Sequence, residues 1–344
     1  MTTPLVSVNM AAYNAAPYIA EAIQSVINQT FQTWELIIIN DCSTDSTVAE
    51  IAKFSDPRIK VFHNEQNEGI VYTRNRALHY SQGKYIAVLD ADDVFLPEKL
   101  TVQVDFMEKH DDYGMVGTGF RFLYEETKTL SNHFCWYAKA EYFPAILLFN
   151  NSFVHSSVMV RTALAKKILF KPLVKGFSPC EDYQLFAVLA NSYKIYNINQ
   201  ELVHYREHTQ GISKSKNDKI NEYTDKIIIS QLKLLKVNPT AEELRLHKSI
   251  CLAFDNLEWE QIKYIKKWIL YLIKKNNSSK IYDRYFDEYL ALRWYEIAKF
   301  NANYGISMLF MFYSSSLSLH PVIDLKKRRF LLERCLYEFK IKLF

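Results

Sequence analysis

Asp90, Asp92 and Asp93 crowd three carboxylates into four positions, directly behind an apolar run from Tyr85 to Leu89 that reads as a buried strand. Like charges at a strand end repel and raise one another's pKa values, so such a cluster persists cheaply only with something cationic among the carboxylates. A divalent metal is the simplest candidate, and hard oxygen ligands suit Mg2+ or Mn2+, usually with a substrate phosphate completing the shell. The same residues also fit a solvated acidic turn ahead of a helix begun at Pro97, because Asp favours turns and first helical turns. A second acidic pair, Glu181-Asp182, precedes the apolar helical pattern Tyr183 to Leu189. On residue type alone it reads as acids stabilised by a helix N-terminus.

The elements that must position these groups follow from periodicity. Apolar strand-like runs (Leu5 to Met10, Glu35 to Asn40, Ile59 to His63, Tyr85 to Leu89) alternate with helical patterns (Tyr18 to Asn28, Thr47 to Phe54, Gly69 to Ser81). That alternation predicts an α/β fold with a Rossmann-like, mostly parallel central sheet flanked by helices. Ligands of such sheets bind beyond the carboxyl ends of the strands, where Tyr13-Asn14, Asp41 and the Asp90 to Asp93 group all fall. A glycine-rich phosphate loop after the first strand is lacking, which excludes a dinucleotide fingerprint and a P-loop and leaves phosphate to metal and arginine.

Composition bounds the classes. A chain of 344 residues, 49 % hydrophobic, with 8 glycines and 9 prolines, predicts a globular protein of roughly two domains and excludes disordered and solenoid readings. Cys42, Cys135, Cys180, Cys251 and Cys335 have no paired spacing, against a disulfide framework or zinc ribbon and in keeping with a reducing cytosol. The first strand begins without a charged leader or export segment, so a cytoplasmic location is expected.

The net charge of +4 conceals an asymmetry: residues 216–344 carry 23 Lys and Arg against 15 Asp and Glu. Runs such as Lys263 to Ile269 and Lys326 to Leu332 join cations to aromatic and aliphatic residues at near-helical spacing. This predicts a basic, aromatic-rich helical region that either packs as an ordinary bundle with solvated faces or lies on an anionic membrane surface. Nucleic acid is not expected as a partner, since no recognised module accompanies the charge. The longest apolar stretch, Gly305 to Tyr313, is too short to span a bilayer.

Taken in order, the motifs resemble the inverting family-2 glycosyltransferases of the GT-A fold over Val6 to about Ser215. The resemblance rests on Val6 to Asn14, Ser25 to Phe31, Glu35 to Asp45, Asn67-Glu68-Gly69 with Thr73-Arg74-Asn75, Asp90-Ala91-Asp92 as the DXD motif, and Glu181-Asp182. Departures are Ala11 and Ala12, where the family often has Pro and Thr, and Asn40, where it often has Asp. The resemblance implies a catalytic domain over residues 1–215, with nucleotide-sugar binding in 1–95 and acceptor binding and the catalytic base in 96–215. Residues 216–344 form the helical C-terminal region.

It also implies roles residue by residue. Ala11 and Tyr13 hold the uracil of a UDP-sugar, and Asp41 accepts its imide proton. Cytosine offers no such proton, and unpaired buried polar groups make the discrimination strong. Arg74 faces the nucleotide, Asp90 serves the ribose or metal-bound water, Asp92 binds Mn2+ or Mg2+, and Asp93 is a third member of the set. Asp182 is the catalytic base, with Glu181 beside it for acceptor contact or support. Tyr205-Arg206-Glu207-His208, with Ser213 and Ser215, resembles a loop closing over the diphosphate, flanked by Lys214, Lys216 and Lys219. Within it Arg206 contacts phosphate and His208 is a metal ligand, with His204 a competitor for that role. His155 reads as buried structure.

The implied activity is metal-dependent transfer of a hexose or N-acetylhexosamine from a UDP-sugar to a saccharide or lipid-linked saccharide in bacterial surface-polysaccharide, capsule or lipooligosaccharide assembly. The protein would be peripheral on the inner face of the cytoplasmic membrane, and a homo-oligomer is compatible with the sequence. The alternative is a catalytically inactive nucleotide-sugar-binding scaffold of a glycan assembly complex.

Overall fold

The computed structural model describes residues 3–169, 180–209, 211, 217–252 and 257–341; Ser213, Lys214, Ser215 and Lys216 lie outside the described residues. The chain divides into two compact units, Met1–Phe143 with Ser152–Thr224, and Pro144–Asn151 with Asp225–Phe344.

The first unit opens with β1 (Val6–Ala12), α1 (Ile19–Ile27), β2 (Trp34–Asn40), α2 (Thr47–Ile51), β3 (Ile59–His63), α3 (Ile70–Tyr80) and β4 (Tyr85–Val88). Every residue of β2 is buried, as a central parallel strand covered on both faces requires. Ile19, Ala22, Ile23 and Val26 of α1 bury one helical face in the same core as Val6, Val8 and Met10. The polar members of these strands are paired: Ser7 Oγ donates to Glu35 Oε1 at 2.6 Å, and Lys60 Nζ lies 2.7 Å from Glu35 Oε2. Gly83 is required by close approach, because a Cβ there would stand 2.6 Å from the Ser7 backbone nitrogen.

There follow β5 (Val94–Phe95), α4 (Lys99–Lys109), β6 (Tyr113–Tyr124), β7 (Thr129–Leu130), β8 (Met159–Arg161), α6 (Thr162–Leu169), α7 (Glu181–Ala190) and β9 (Lys194–Glu207); α5 (Phe143–Ile146), between β7 and β8 in the chain, belongs to the second unit from Pro144 on. The strand order is β3-β2-β1-β4-β8-β6-β9-β5, with β7 on β6. β1 pairs in parallel with β2 on one side and β4 on the other, so the chain moves outward to β3 and then returns across β1. That reversal is the switch point at which open α/β sheets bind ligands.

The βαβ reading describes these first four strands. Beyond them β4 pairs antiparallel with β8, β8 with β6 and β9 with β5, while β6 and β9 run parallel, giving a mixed sheet. The β5–β9 pairing sets Val94 opposite His204, which brings the end of β9 alongside the Asp90 to Asp93 turn.

The second unit is helical: most of α8 (Asn217–Leu234), then α9 (Ala241–Leu252), α10 (Trp259–Ser279), α11 (Arg284–Phe300), α12 (Ile306–Tyr313) and α13 (Leu325–Ile341). Side chains of its helices hold residues 144–151 by their carbonyls. Gln231 Nε2 donates to Leu147 O at 2.9 Å and His247 Nε2 to Leu148 O at 2.9 Å. His247 Nδ1 in turn accepts from Trp268 Nε1 at 3.0 Å, and its ring stacks on Phe149. Burial lowers the His247 pKa from 6.5 to about 4, so the imidazole is neutral in the tautomer those two bonds require. Among the described residues no helix is long and apolar enough to cross a membrane.

Candidate functional site at the carboxyl ends of β1, β2 and β4

The ends of β1 and β2 are stitched together. Asn14, at φ 49°, accepts from Thr44 N at 2.8 Å through Oδ1, and its own N–H donates to Ser43 Oγ at 3.0 Å. Cys42 also has a positive φ, 59°, unusual for a non-glycine residue and a form of backbone strain common at binding sites. Ala11 lies within β1, and Tyr13 just beyond it is 50 % exposed.

Asp41 is buried, and its carboxylate organises the next loop. Oδ1 accepts from Asn64 Nδ2 at 2.6 Å and Glu68 N at 2.9 Å, and Oδ2 accepts from Gly69 N at 3.0 Å. Gly69, at φ 85°, occupies a left-handed conformation that L side chains rarely adopt and caps α3. A carboxylate offers about four lone-pair sites, so one on Oδ2 is left for a further donor.

At the end of β4, Asp90 is held from both sides. Arg74 Nη2 on α3 donates to its Oδ1 at 2.7 Å, and His155 Nδ1 lies 3.0 and 3.1 Å from its two oxygens. Burial pushes the Asp90 carboxyl up, but the charges and hydrogen bonds of His155 and Arg74 outweigh it and hold the pKa below the usual carboxylate range. The other terminal nitrogen of Arg74 donates to Glu181 Oε1 in the first turn of α7. A chain Glu181–Arg74–Asp90–His155 therefore ties the helix that carries Asp182 to the acidic turn. Arg74 Nε and Glu181 Oε2 are buried without a protein partner.

Asp93, the third acid of the set, is bonded within the protein. It is 1 % exposed, its Oδ2 accepts from Ser156 Oγ at 2.5 Å and its Oδ1 from Arg206 N at 2.8 Å. Burial, with the neighbouring Asp92 and Asp90 charges, raises its pKa well above the ordinary value. The Arg206 side chain is engaged too: Nε donates to Asp92 O at 2.7 Å, Nη1 to Glu125 Oε2 at 2.5 Å and Nη2 to Glu21, over the Tyr18 ring. These bonds latch the end of β9 to the acidic turn and to α1.

His208 and Asp92 meet. His208 Nε2 lies 2.9 Å from Asp92 Oδ2, its ring packs on Tyr18 at 4.6 Å, and its Nδ1 is buried without a partner. His204, the competitor, instead faces Glu201 at 3.2 Å. Among the described residues no group of three His, Cys, Asp or Glu could hold a metal ion by protein ligands alone. The donor set fits Mg2+ or Mn2+ nevertheless, because such ions are commonly held by one or two protein groups plus substrate phosphates and water.

Asp182 lies in the first turn of α7, next to Glu181. Sequence reasoning missed the bonding of His155 to Asp90, and with it Ser156, Glu21, Glu125 and Tyr18. The available signals were His155-Ser156-Ser157 as a polar run between apolar segments and Glu21 as the one acid of α1.

Comparisons with known proteins identify the family and the fold. The profile of Glycosyl transferase family 2 matches residues 7–168. A UDP-Glc:alpha-D-GlcNAc-diphosphoundecaprenol beta-1,3-glucosyltransferase, WfgD of Escherichia coli, is 31 % identical over 214 residues, 62 % of this chain and 81 % of that protein. An uncharacterized glycosyltransferase of Haemophilus influenzae is 33 % identical over 245 residues, covering 65 % and 72 % of the two chains. The crystal structure of S. aureus TarS 1-349 in complex with UDP-GlcNAc superposes with a TM-score of 0.54 at 16 % identity, over 95 % of this chain and 90 % of that one, a likeness of GT-A fold. The chain belongs to glycosyl transferase family 2.

Proposed function

We propose that the protein is an inverting UDP-sugar glycosyltransferase that moves one sugar by a single displacement. The observation that carries this reading is the chain Glu181–Arg74–Asp90, which joins the acid-bearing first turn of α7 to the turn that pairs Asp92 with His208. A leaving-group side and a base side are thereby held in one frame. Tyr13 and the free lone pair of Asp41 Oδ2 suit uracil, the first by ring contact and the second by accepting the imide N–H. Asp92 and His208 would hold Mn2+ or Mg2+, which when bound neutralises negative charge on the departing diphosphate.

In the transfer, the acceptor hydroxyl oxygen forms a bond to the anomeric carbon as the bond from that carbon to the diphosphate oxygen breaks. UDP leaves with the electron pair, and Asp182 takes the hydroxyl proton. Attack from the face opposite UDP converts an α-linked donor into a β-linked product. Arg74, with its unpartnered Nε, is suited to a phosphate or ribose oxygen. Arg206 and Asp93 act as latches that position Asp92 and the end of β9.

The acceptor is proposed to be a saccharide carried on lipid, in bacterial surface-polysaccharide assembly. WfgD, by its name, acts on a diphosphoundecaprenol-linked sugar, and the basic helical unit of this chain suits an anionic membrane surface. Screening UDP-sugars for Mn2+-dependent UDP release tests the donor class. Release from at least one UDP-sugar and none from the matching CDP-sugar is expected; equal release from both would overturn the assignment of Asp41.

A further inference from the structure

The helix α12, Ile306-Ser307-Met308-Leu309-Phe310-Met311-Phe312-Tyr313, is apolar at every position but Ser307, yet only partly covered. Met308, Leu309 and Phe312 are buried, while Ile306, Phe310 and Tyr313, at the i, i+4, i+7 spacing of one helical face, point outward. A helix of that pattern belongs in a core or at an apolar boundary. The neighbouring elements carry further exposed apolar side chains. Leu319 ends the short turn Ser316–Leu319 and Leu325 opens α13, both of which pack on α12. Phe310, Leu319 and Leu325 are 78 %, 70 % and 82 % exposed, the most exposed large apolar side chains among the described residues.

Cations accompany this apolar ridge. Lys326 and Arg329 are exposed on the first turns of α13, with Lys327 and Arg328 between them; Lys327 pairs with Asp324 at 2.9 Å and Arg329 with Glu333 at 2.7 Å, so four cations face two acids and the stretch stays net basic. From α10, Lys266 Nζ reaches the C-terminus of α12, donating to Ser314 Oγ at 2.8 Å, and Lys263 and Lys267 sit beside it in sequence. Apolar side chains bordered by Lys and Arg are the composition of an interfacial element that buries its apolar face at the boundary of headgroup and acyl chain.

We infer that Phe310, Leu319 and Leu325, bordered by the Lys326 to Arg329 cations, form the face with which the protein docks on an anionic lipid surface. The inference rests on the proposed membrane association of the C-terminal unit and assigns it to one face. It explains why the most exposed apolar residues lie beside a basic run, which a solvated bundle face would not require. Charge complementarity selects anionic lipid as the occupant.

The test uses the full chain, since residues 144–151 pack within the second unit and a truncation at 216 would strip them of partners. Co-sedimentation is measured with vesicles of phosphatidylglycerol and phosphatidylethanolamine, and with phosphatidylcholine alone. UDP affinity and the circular dichroism melt check that each variant is folded. Wild type should partition onto the anionic vesicles, and Phe310→Ser with Leu325→Ser should weaken partitioning by at least about tenfold. Lys326→Glu with Lys327→Glu should remove the preference for anionic over neutral lipid. Wild type bound and the Ser variant bound equally would overturn this face while leaving membrane association intact. Wild type that binds neither vesicle would overturn the membrane reading itself. A wild-type dimer in solution that Leu325→Ser dissociates would make a second copy of the chain the occupant, and overturn the inference.

Discussion

His155 Nδ1 lies 3.0 Å from Asp90 Oδ1, a bond between residues 65 positions apart that joins the two halves of the first unit at the end of β4. With Arg74 on its other side, Asp90 is fixed as a carboxylate before any ligand arrives. Preorganisation of this kind spares a bound donor the cost of ordering the group. His155→Ala should weaken UDP binding by about tenfold, the loss of one charge-assisted hydrogen bond, with little change in thermal stability. Titration calorimetry with UDP checks this, and unchanged affinity would relegate His155 to packing.

Arg74 connects Asp90 to Glu181 through the two ends of one guanidinium. A lysine cannot span both carboxylates, so Arg74→Lys should reduce kcat/KM by roughly tenfold to a hundredfold. Glu181→Gln keeps the shape but weakens the bond to Arg74. It should lower kcat more than it raises the UDP-sugar KM, because it loosens the turn that carries Asp182. Equal effects on both parameters would place Glu181 in donor binding.

Asp92 and His208, 2.9 Å apart, are the pair proposed to hold a divalent ion. Asp92→Asn and His208→Ala should each raise the Mn2+ concentration needed for half-maximal UDP binding by at least about tenfold, the usual cost of a lost ligand. Electron paramagnetic resonance of free Mn2+ in the presence of UDP reads this directly, without turnover. Wild-type Mn2+ binding by the Asp92 variant would exclude it as a ligand.

His247 makes stability of the second unit pH-dependent. Its folded pKa of about 4 lies below the ordinary 6.5. The unfolded chain therefore binds more protons between these values, and stability falls as pH drops through that window. The full loss is on the order of 3 kcal/mol for one such group. His247→Phe should flatten that part of the pH profile, and should lower stability at neutral pH because Trp268 Nε1 and Leu148 O lose their partner. Denaturant unfolding at several pH values separates the two effects.

Much of the first unit was legible because short apolar runs and helical patterns alternate cleanly from Val6 to Val88, and a parallel sheet follows from that alternation. The carboxylates at Asp41, Asp90, Asp92, Glu181 and Asp182 were equally visible, since charges at strand and helix ends stand out against apolar runs. Their partners were not. Arg206 and Asp93 carry the residue types of ligand contacts, and their bonds to Glu21 of α1 and to Ser156 come from tertiary neighbours that sequence spacing does not show. Residues 144–151 show no local sign that they join the C-terminal helices, because the bonds that hold them come from Gln231 and His247, more than eighty positions away.

Asp182→Asn puts the account to its most direct test, comparing UDP release in the presence of a competent acceptor with UDP affinity in the same variant. The account predicts that transfer falls by at least about a thousandfold while the affinity for UDP stays within about threefold, because the base is lost and the donor site is intact. Transfer by the variant at the wild-type rate would contradict it.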